Sequence, residues 1–207
     1  MRVINAGYQI LSPIDEDTIL SQLERIGRVC YKSEQNISKD SAKKFIQGII
    51  KSGHESVIEH CSITVKFICD RGVSHEIVRH RIASYSQEST RYCNYSKDQF
   101  GNEITVIKPC FWDESSPNYL IWKKQMESIE KAYFDLLSNG AKPEEARSIL
   151  PNSLKTEIVV TMNLREWRHF FKLRTSRRAH PQMREVAIML LENFKTTLPT
   201  VFEDIEY

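Results

Sequence analysis

Several familiar signals are missing from this chain, and each absence removes a class of function. Its seven glycines (Gly7, Gly27, Gly48, Gly53, Gly72, Gly101 and Gly140) form neither a GxGxxG turn nor a phosphate-binding P-loop. A phosphorylated ligand would therefore be held by cationic side chains and helix N-termini. The five cysteines (Cys30, Cys61, Cys69, Cys93, Cys110) are odd in number and contain no CxxC pair. That excludes a zinc ribbon or thioredoxin-type motif, argues against a disulfide framework, and reads as reduced thiols in a cytoplasmic setting. No apolar run approaches the ~18 residues of a membrane span. The first segment is interrupted by Gln9 and followed by Asp15, Glu16 and Asp17, so it does not read as a signal peptide. Net charge is only +2, too little to mark the whole chain as a nucleic-acid binder.

Two His-Glu dipeptides raise the question of zinc. His54-Glu55 is followed by His60, and His75-Glu76 by His80. A helical zinc motif needs histidines four apart. Separations of six and five turn the second imidazole about 240° or about 140° away from the first. The spacing reads against a protein-ligated metal, and none is expected.

The chain has 207 residues, 41% apolar and 27% charged, which suits a single domain over 1–207 with an unstapled core. Residues 2–11 read as a strand ended by Ser12-Pro13. Ile19, Leu20, Leu23, Ile26 and Cys30 recur at helical spacing, as do Phe45, Ile46, Ile49 and Ile50 before a stop at Gly53. Ser62 to Cys69 and Lys155 to Met162 alternate like strands. Residues 104–107 read as a further strand, and 71–82 as a short helix containing Arg79-His80-Arg81. Pro117 to Ser138 reads as the longest helix, and Pro143 and Pro181 suit first helical positions. Asn163 with Glu166 reads as an N-cap with a reciprocal acid. Strands and helices mix without regular βαβ alternation. The expected class is α+β, with helices packed around a mainly antiparallel twisted sheet.

Positive charge is concentrated in two segments. Between Asn163 and Arg184 stand Arg165, Arg168, Lys172, Arg174, Arg177, Arg178 and Arg184 against the single acid Glu166. A locally cationic site on a nearly neutral chain suits a small polyanion better than a long one. The second concentration lies in RHRIASYSQESTR, Arg79 to Arg91. Hydroxyls and an amide (Ser84, Ser86, Gln87, Ser89, Thr90) lie between fixed cations, a set that suits a ligand with phosphates and a heterocycle.

This stretch resembles the signature of the flavin-dependent thymidylate synthases: R-H-R, seven residues, then S, met here by Arg79-His80-Arg81 and Ser89. The likeness extends through Arg91-Tyr92. Gly53-His54-Glu55-Ser56 with Glu59-His60, Glu145-Ala146-Arg147 with Leu150-Pro151, and Asn163-Leu164-Arg165 through His169, Leu173-Arg174 and Ala179-His180-Pro181 resemble other blocks of that family, in its order. Two positions depart from it: Glu76 stands where Gln is often found, and Gln87 where some members carry Glu.

The resemblance implies a fold of the thymidylate synthase-complementing protein type and the methylation of dUMP to dTMP. Methylenetetrahydrofolate would donate the carbon, and FAD would relay hydride from NADPH. Other thymidylate synthases activate the uracil ring with a cysteine at C6; this family needs none. By resemblance, Arg174 activates the ring, since a guanidinium stabilises developing negative charge and keeps its proton. His54, Ser56, Arg79, His80, Arg81, Gln87, Asn163, Leu164, Arg165 and His169 would hold FAD. Glu76, Arg79, Gln87, Glu88, Ser89, Thr90, Arg91, Arg147 and Arg174 would hold dUMP. A homotetramer with sites shared between subunits is implied, with neither nucleic acid nor membrane as partner.

Plainer readings stand beside these. Cys93 is expected to be inert packing, Trp112, Trp122 and Trp167 to be core, and Arg177-Arg178 to be a solvated turn. A colourless nucleic-acid-binding protein and a flavin-linked reductase without methyl transfer are the competing functions.

Overall fold

The computed structural model describes residues 1–97 and 101–207. Strands and helices alternate irregularly: β1 (Arg2–Ile4), β2 (Gly7–Ile10), α1 (Glu16–Val29), α2 (Ser41–Lys51), β3 (Ser62–Asp70), α3 (Arg71–Ile77), β4 (Ala83–Gln87) and β5 (Thr105–Ile107) come first. They are followed by α4 (Pro117–Ser138), α5 (Pro143–Ala146), β6 (Lys155–Asn163), α6 (Leu164–Arg174), α7 (Pro181–Thr197) and α8 (Pro199–Phe202). Four strands are hydrogen-bonded in the order β2-β3-β6-β4, and β1 pairs with β5. Thr64 meets Thr161, and the Arg71 N–H reaches the carbonyl of Leu154, so numbers rise along β3 as they fall along β6. These central strands are antiparallel, as expected; β1 and β5 are parallel.

Two expectations change. The single strand read over residues 2–11 is two strands in different sheets: Ile4 accepts from the Lys108 N–H beside β5, whereas the Leu11 N–H reaches Thr64 in β3. One run of extended chain cannot serve both ladders, and the break falls at Asn5-Ala6. The helix read over 71–82 stops at Ile77, and β4 follows within a segment too polar to read as a strand.

Contacts divide the chain into two compact units. The first comprises Met1–Gly7, Phe67–Arg79 and Tyr85–Val159. Its core gathers Tyr95, Ile104, Val106, Tyr119, Trp122, Met126, Tyr133, Ala146 and Leu154, with Trp112 partly buried against them. Tyr119, Trp122, Met126 and Tyr133 recur at helical spacing on α4, which Ser116 caps by accepting from the Tyr119 N–H.

The second unit comprises Tyr8–Lys66, His80–Ser84 and Val160–Tyr207. Its core is aromatic. Trp167 is fully buried, with its ring centroid 5.4 to 5.8 Å from those of Phe170, Phe171 and Phe194, and its indole N–H donates to the Ile63 carbonyl. Helix α2 ends as read: Gly53, at φ 73°, takes the left-handed position that releases the chain, while the His54 N–H returns to the Ile49 carbonyl. Gly27 of α1 lets the Phe45 ring approach, since a Cβ there would lie 2.7 Å from it.

Arg168 shows how this unit keeps a buried cation. Its guanidinium donates to Asp204 at 2.6 and 2.7 Å, to Glu55 at 3.2 Å and to the Val201 carbonyl. The guanidinium holds the Asp204 carboxyl below its ordinary range. That stabilisation is present above the unfolded value near 3.9 and is lost as pH falls through the folded one. Asp204→Ala should cost about 2 kcal/mol at neutral pH and weaken the loss of stability in acid. Urea denaturation at several pH values measures both, and an unchanged midpoint would show that Glu55 and Val201 suffice.

Candidate active site

Helix α6 carries most of the cationic C-terminal segment. Asn163 caps it, its side chain accepting the Glu166 N–H at 2.9 Å. The second half of the expected capping box is absent, because Glu166 turns inward. Its Oε1 lies 2.8 Å from His80 Nδ1, and the Arg174 Nε–H donates to His80 Nε2 at 3.1 Å. All three groups are buried. The rings of His169 and Phe170 lie 5.5 and 5.1 Å from the His80 ring. Arginine only donates, so Nε2 must accept and the imidazole carries its proton on Nδ1, facing the Glu166 side chain. Burial pushes His80 below its ordinary pKa; Arg174 and His169 push the same way, while Glu166 opposes them.

A cavity of about 470 Å³ lies against α6, lined by Asn163, Arg165, Glu166, His169 and Lys172 with Glu55, Glu59 and Ile82. A second, of about 380 Å³, is lined by His54, Ser56 and Arg165 together with Cys30, Tyr31 and neighbours. Arg165 belongs to both cavities and is paired with Glu59 at 2.6 Å. Arg81 is exposed in the same unit. Leu164 is fully buried, and its N–H bonds the Cys61 carbonyl, so its side chain serves the core. The set Arg165, Lys172, His54, Ser56 and His169 offers cations and donors beside two adjoining grooves. That donor set fits a diphosphate-bearing cofactor held without a glycine-rich turn.

The first unit holds the remaining candidates. Arg91 bonds Glu144 at 3.0 Å, and Glu144 stands three residues before Arg147, so these two arginines of distant sequence approach one short helix. Ser89 accepts from the Arg91 N–H at 3.3 Å. Thr90 is buried, whereas Arg79 and Arg147 are exposed and Glu76 is half-buried. Gln87 donates to Ser74 and Thr156 at 2.9 and 3.2 Å. Glu88 accepts from Tyr95, Lys155 and the Glu157 N–H, which commits its carboxylate to the unit's own fold.

Sequence reasoning missed the role of Glu166, which it read as a capping acid, and the acids Glu55 and Glu59 on the groove wall. For Glu166 no local pattern marks the role, since His80 comes from 86 residues away. Ligand atoms of His80, Glu166 and His169 lie within 4.8 Å of one another, a grouping that could surround a cation. The Arg174 charge on the same imidazole opposes one there. Cys93 is half-buried, with its thiol pushed up by burial first and by Glu88 second, which suits packing rather than nucleophilic attack. Trp122 and Trp167 are core, and Arg177 and Arg178 are exposed. No helix among the described residues is long and apolar enough to cross a membrane.

The chain has the fold of a solved UMP/dUMP methylase, PolB from Streptomyces cacaoi, crystallised with 5-Br dUMP. The TM-score is 0.78 over 98% of this chain and 96% of that one, at 22% identity. An α+β protein of this architecture, with cation-lined grooves, is the class the fold and site define. The chain belongs to the thymidylate synthase complementing protein family, whose model matches residues 15–200. A flavin-dependent thymidylate synthase of Pyrococcus furiosus is 38% identical over 87% of this chain and 73% of its own length. One from Geobacter sulfurreducens is 37% identical over 86% and 78%.

The lowered His80 pKa has a direction that can be tested. Below about pH 6.5 the unfolded chain takes up a proton that the folded chain refuses, so stability falls as pH drops from 6.5 toward the folded value. Thermal or urea midpoints measured from pH 7.5 to 5.5 should fall more steeply in the wild type than in His80→Gln, by at most about 1.4 kcal/mol per pH unit. Parallel curves would mean that His80 titrates normally.

Proposed function

We propose that this chain is a flavin-dependent thymidylate synthase that converts dUMP to dTMP. Methylenetetrahydrofolate is the carbon donor, and FAD with NADPH is the source of hydride. One observation carries the reading within the family: a buried arginine, Arg174, whose Nε–H donates to the neutral imidazole of His80. A guanidinium keeps its proton and can stabilise a developing anion.

In this reading Arg174 stabilises negative charge on the N3–C=O edge of uracil, which makes C5 electron-rich toward the one-carbon electrophile. Ser89, Arg91 and Arg147 hold dUMP, the arginines matching its phosphate, with Arg79, Thr90 and Glu76 beside them. Gln87 and Glu88 support this segment from within, an assignment favoured by their bonds to Ser74, Thr156 and Lys155. His54, Ser56, Arg79, Arg81, Asn163, Arg165 and His169 hold FAD, supported by the two grooves that share Arg165. Leu164 anchors the start of α6, and His80 acts from behind through Arg174. When bound, the flavin supplies the hydride that completes the methyl group. Binding opposes the Arg165–Glu59 pair, since a diphosphate competes for the same guanidinium.

We read residues 1–207 as one functional domain acting in the cytoplasm as a homotetramer. Exposed Leu120 and Ile121 on α4 favour association.

The test begins with a visible spectrum of the purified protein after mixing with FAD and desalting. A retained flavin band that bleaches with NADPH, followed by dTMP formation from dUMP and methylenetetrahydrofolate, is the expected result. A colourless protein under all conditions removes the reading and leaves the nucleic-acid-binding alternative. Bleaching without any dTMP would leave a flavin-linked reductase. Arg174→Ala should lower dTMP formation by about 100-fold or more while NADPH still bleaches the flavin. Cys93→Ala should keep turnover within about twofold of wild type, and a folded, inactive variant would restore the cysteine as nucleophile.

A further inference from the structure

Glu166 occupies the third position of α6, where an acid ordinarily turns back to the cap. Its carboxylate instead meets His80 Nδ1 at 2.8 Å in a buried setting, and His80 Nε2 meets the Arg174 Nε–H at 3.1 Å. Arg174 can only donate, so His80 Nε2 accepts and the ring carries its proton on Nδ1, facing Glu166. A proton on Nε2 would set two N–H groups against each other across 3.1 Å and drive Arg174 away. Phe170 and His169 brace the ring, so it cannot readily turn to relieve that conflict.

We infer that Glu166 is a positioning residue for the reaction: by holding His80 in its Nδ1–H tautomer, it fixes the plane in which Arg174 presents its guanidinium to the uracil. The inference rests on the proposed role of Arg174 and deepens it. A guanidinium is planar, so fixing Nε–H fixes the direction of its terminal amino pair. Helix geometry makes a relay necessary. Glu166 and Arg174 stand eight residues apart, about 12 Å along α6, and an imidazole from another segment spans that interval. Arg174 leans back toward the helix N-terminus, as long helical side chains do, and so meets the ring. In this proposal Glu166, although it also lines the groove, is assigned no substrate contact. It acts at one remove, as a carboxylate behind a metal-bound or catalytic histidine does.

The test compares Glu166→Gln, His80→Gln and the double variant as flavin-loaded proteins. A glutamine offers Nδ1–H only a neutral acceptor oxygen, and its amide N–H can donate to Nδ1 instead, so the substitution weakens the preference for the Nδ1–H tautomer. In Glu166→Gln, kcat for dTMP should fall at least about tenfold, the KM for dUMP should change by less than about threefold, and flavin content and NADPH bleaching should stay within about twofold. His80→Gln should behave alike. The double variant should be no worse than the worse single variant by more than about threefold, because both changes break one linkage. Near wild-type kcat in Glu166→Gln, loss of its flavin, or multiplying losses in the double variant would overturn the inference. A measurement on the wild type stands apart from variant folding: nitrogen NMR of the six histidines should show a neutral ring protonated on Nδ1. Its absence would also overturn the inference. Failure of the wild type to hold flavin or form dTMP would instead overturn the proposed function, and the NMR result would still report on the tautomer.

Discussion

A buried guanidinium must be matched by acceptors, and for Arg174 one of them is His80, itself bonded to Glu166. The negative and positive ends both belong to α6, and a neutral ring lies between them. Through the imidazole, the arginine is aligned by a hydrogen bond whose other end is Glu166. The surroundings serve this arrangement. Asn163 starts the helix at the residue that aims Glu166, the Trp167–Phe171–Phe194 cluster anchors its opposite face, and Arg184 donates to the Thr175 carbonyl just past Arg174.

Three arginines on one helix thus have three fates set by direction alone. Arg165 points outward, pairs with Glu59 and lines both grooves. Arg168 points into the unit and is spent on Asp204, Glu55 and the Val201 carbonyl. Arg174 is buried, and its Nε–H meets the His80 ring nitrogen. Composition counts these residues alike as positive charge. Of the three, Arg165 lines the grooves.

Much of the frame was legible because its signals are local. The alternation of Ile63, Val65, Phe67 and Cys69 along β3, and of Ile158, Val160 and Met162 along β6, follows from the two-residue period of a half-covered strand. Gly53 and Asn163 marked helix ends because caps are local chemistry. The split between β1 and β2 was not legible, since partner strands far along the chain decide it. Nor was β4, whose ASYSQ sequence carries little strand preference and is held by its partner. In the site, the RHR segment and the cationic α6 were visible as types of residue. The division of labour among Glu88, Gln87, Leu164 and His80 was not, because each side chain's partner lies in another segment.

By itself the sequence determined the α+β class, the family, the element periodicity and the inventory of cations and hydroxyls, all of which reside in short-range pattern. Tertiary structure alone decided that Glu166 abandons its cap for His80 and that the imidazole keeps its proton on Nδ1. It alone decided, too, that Arg174 rather than Arg168 is held through that ring. The physical reason is common to all three. A hydrogen bond's donor and acceptor, and the protonation state they enforce, depend on which side chains meet in a buried space. His80 and Glu166 meet there across 86 residues of chain.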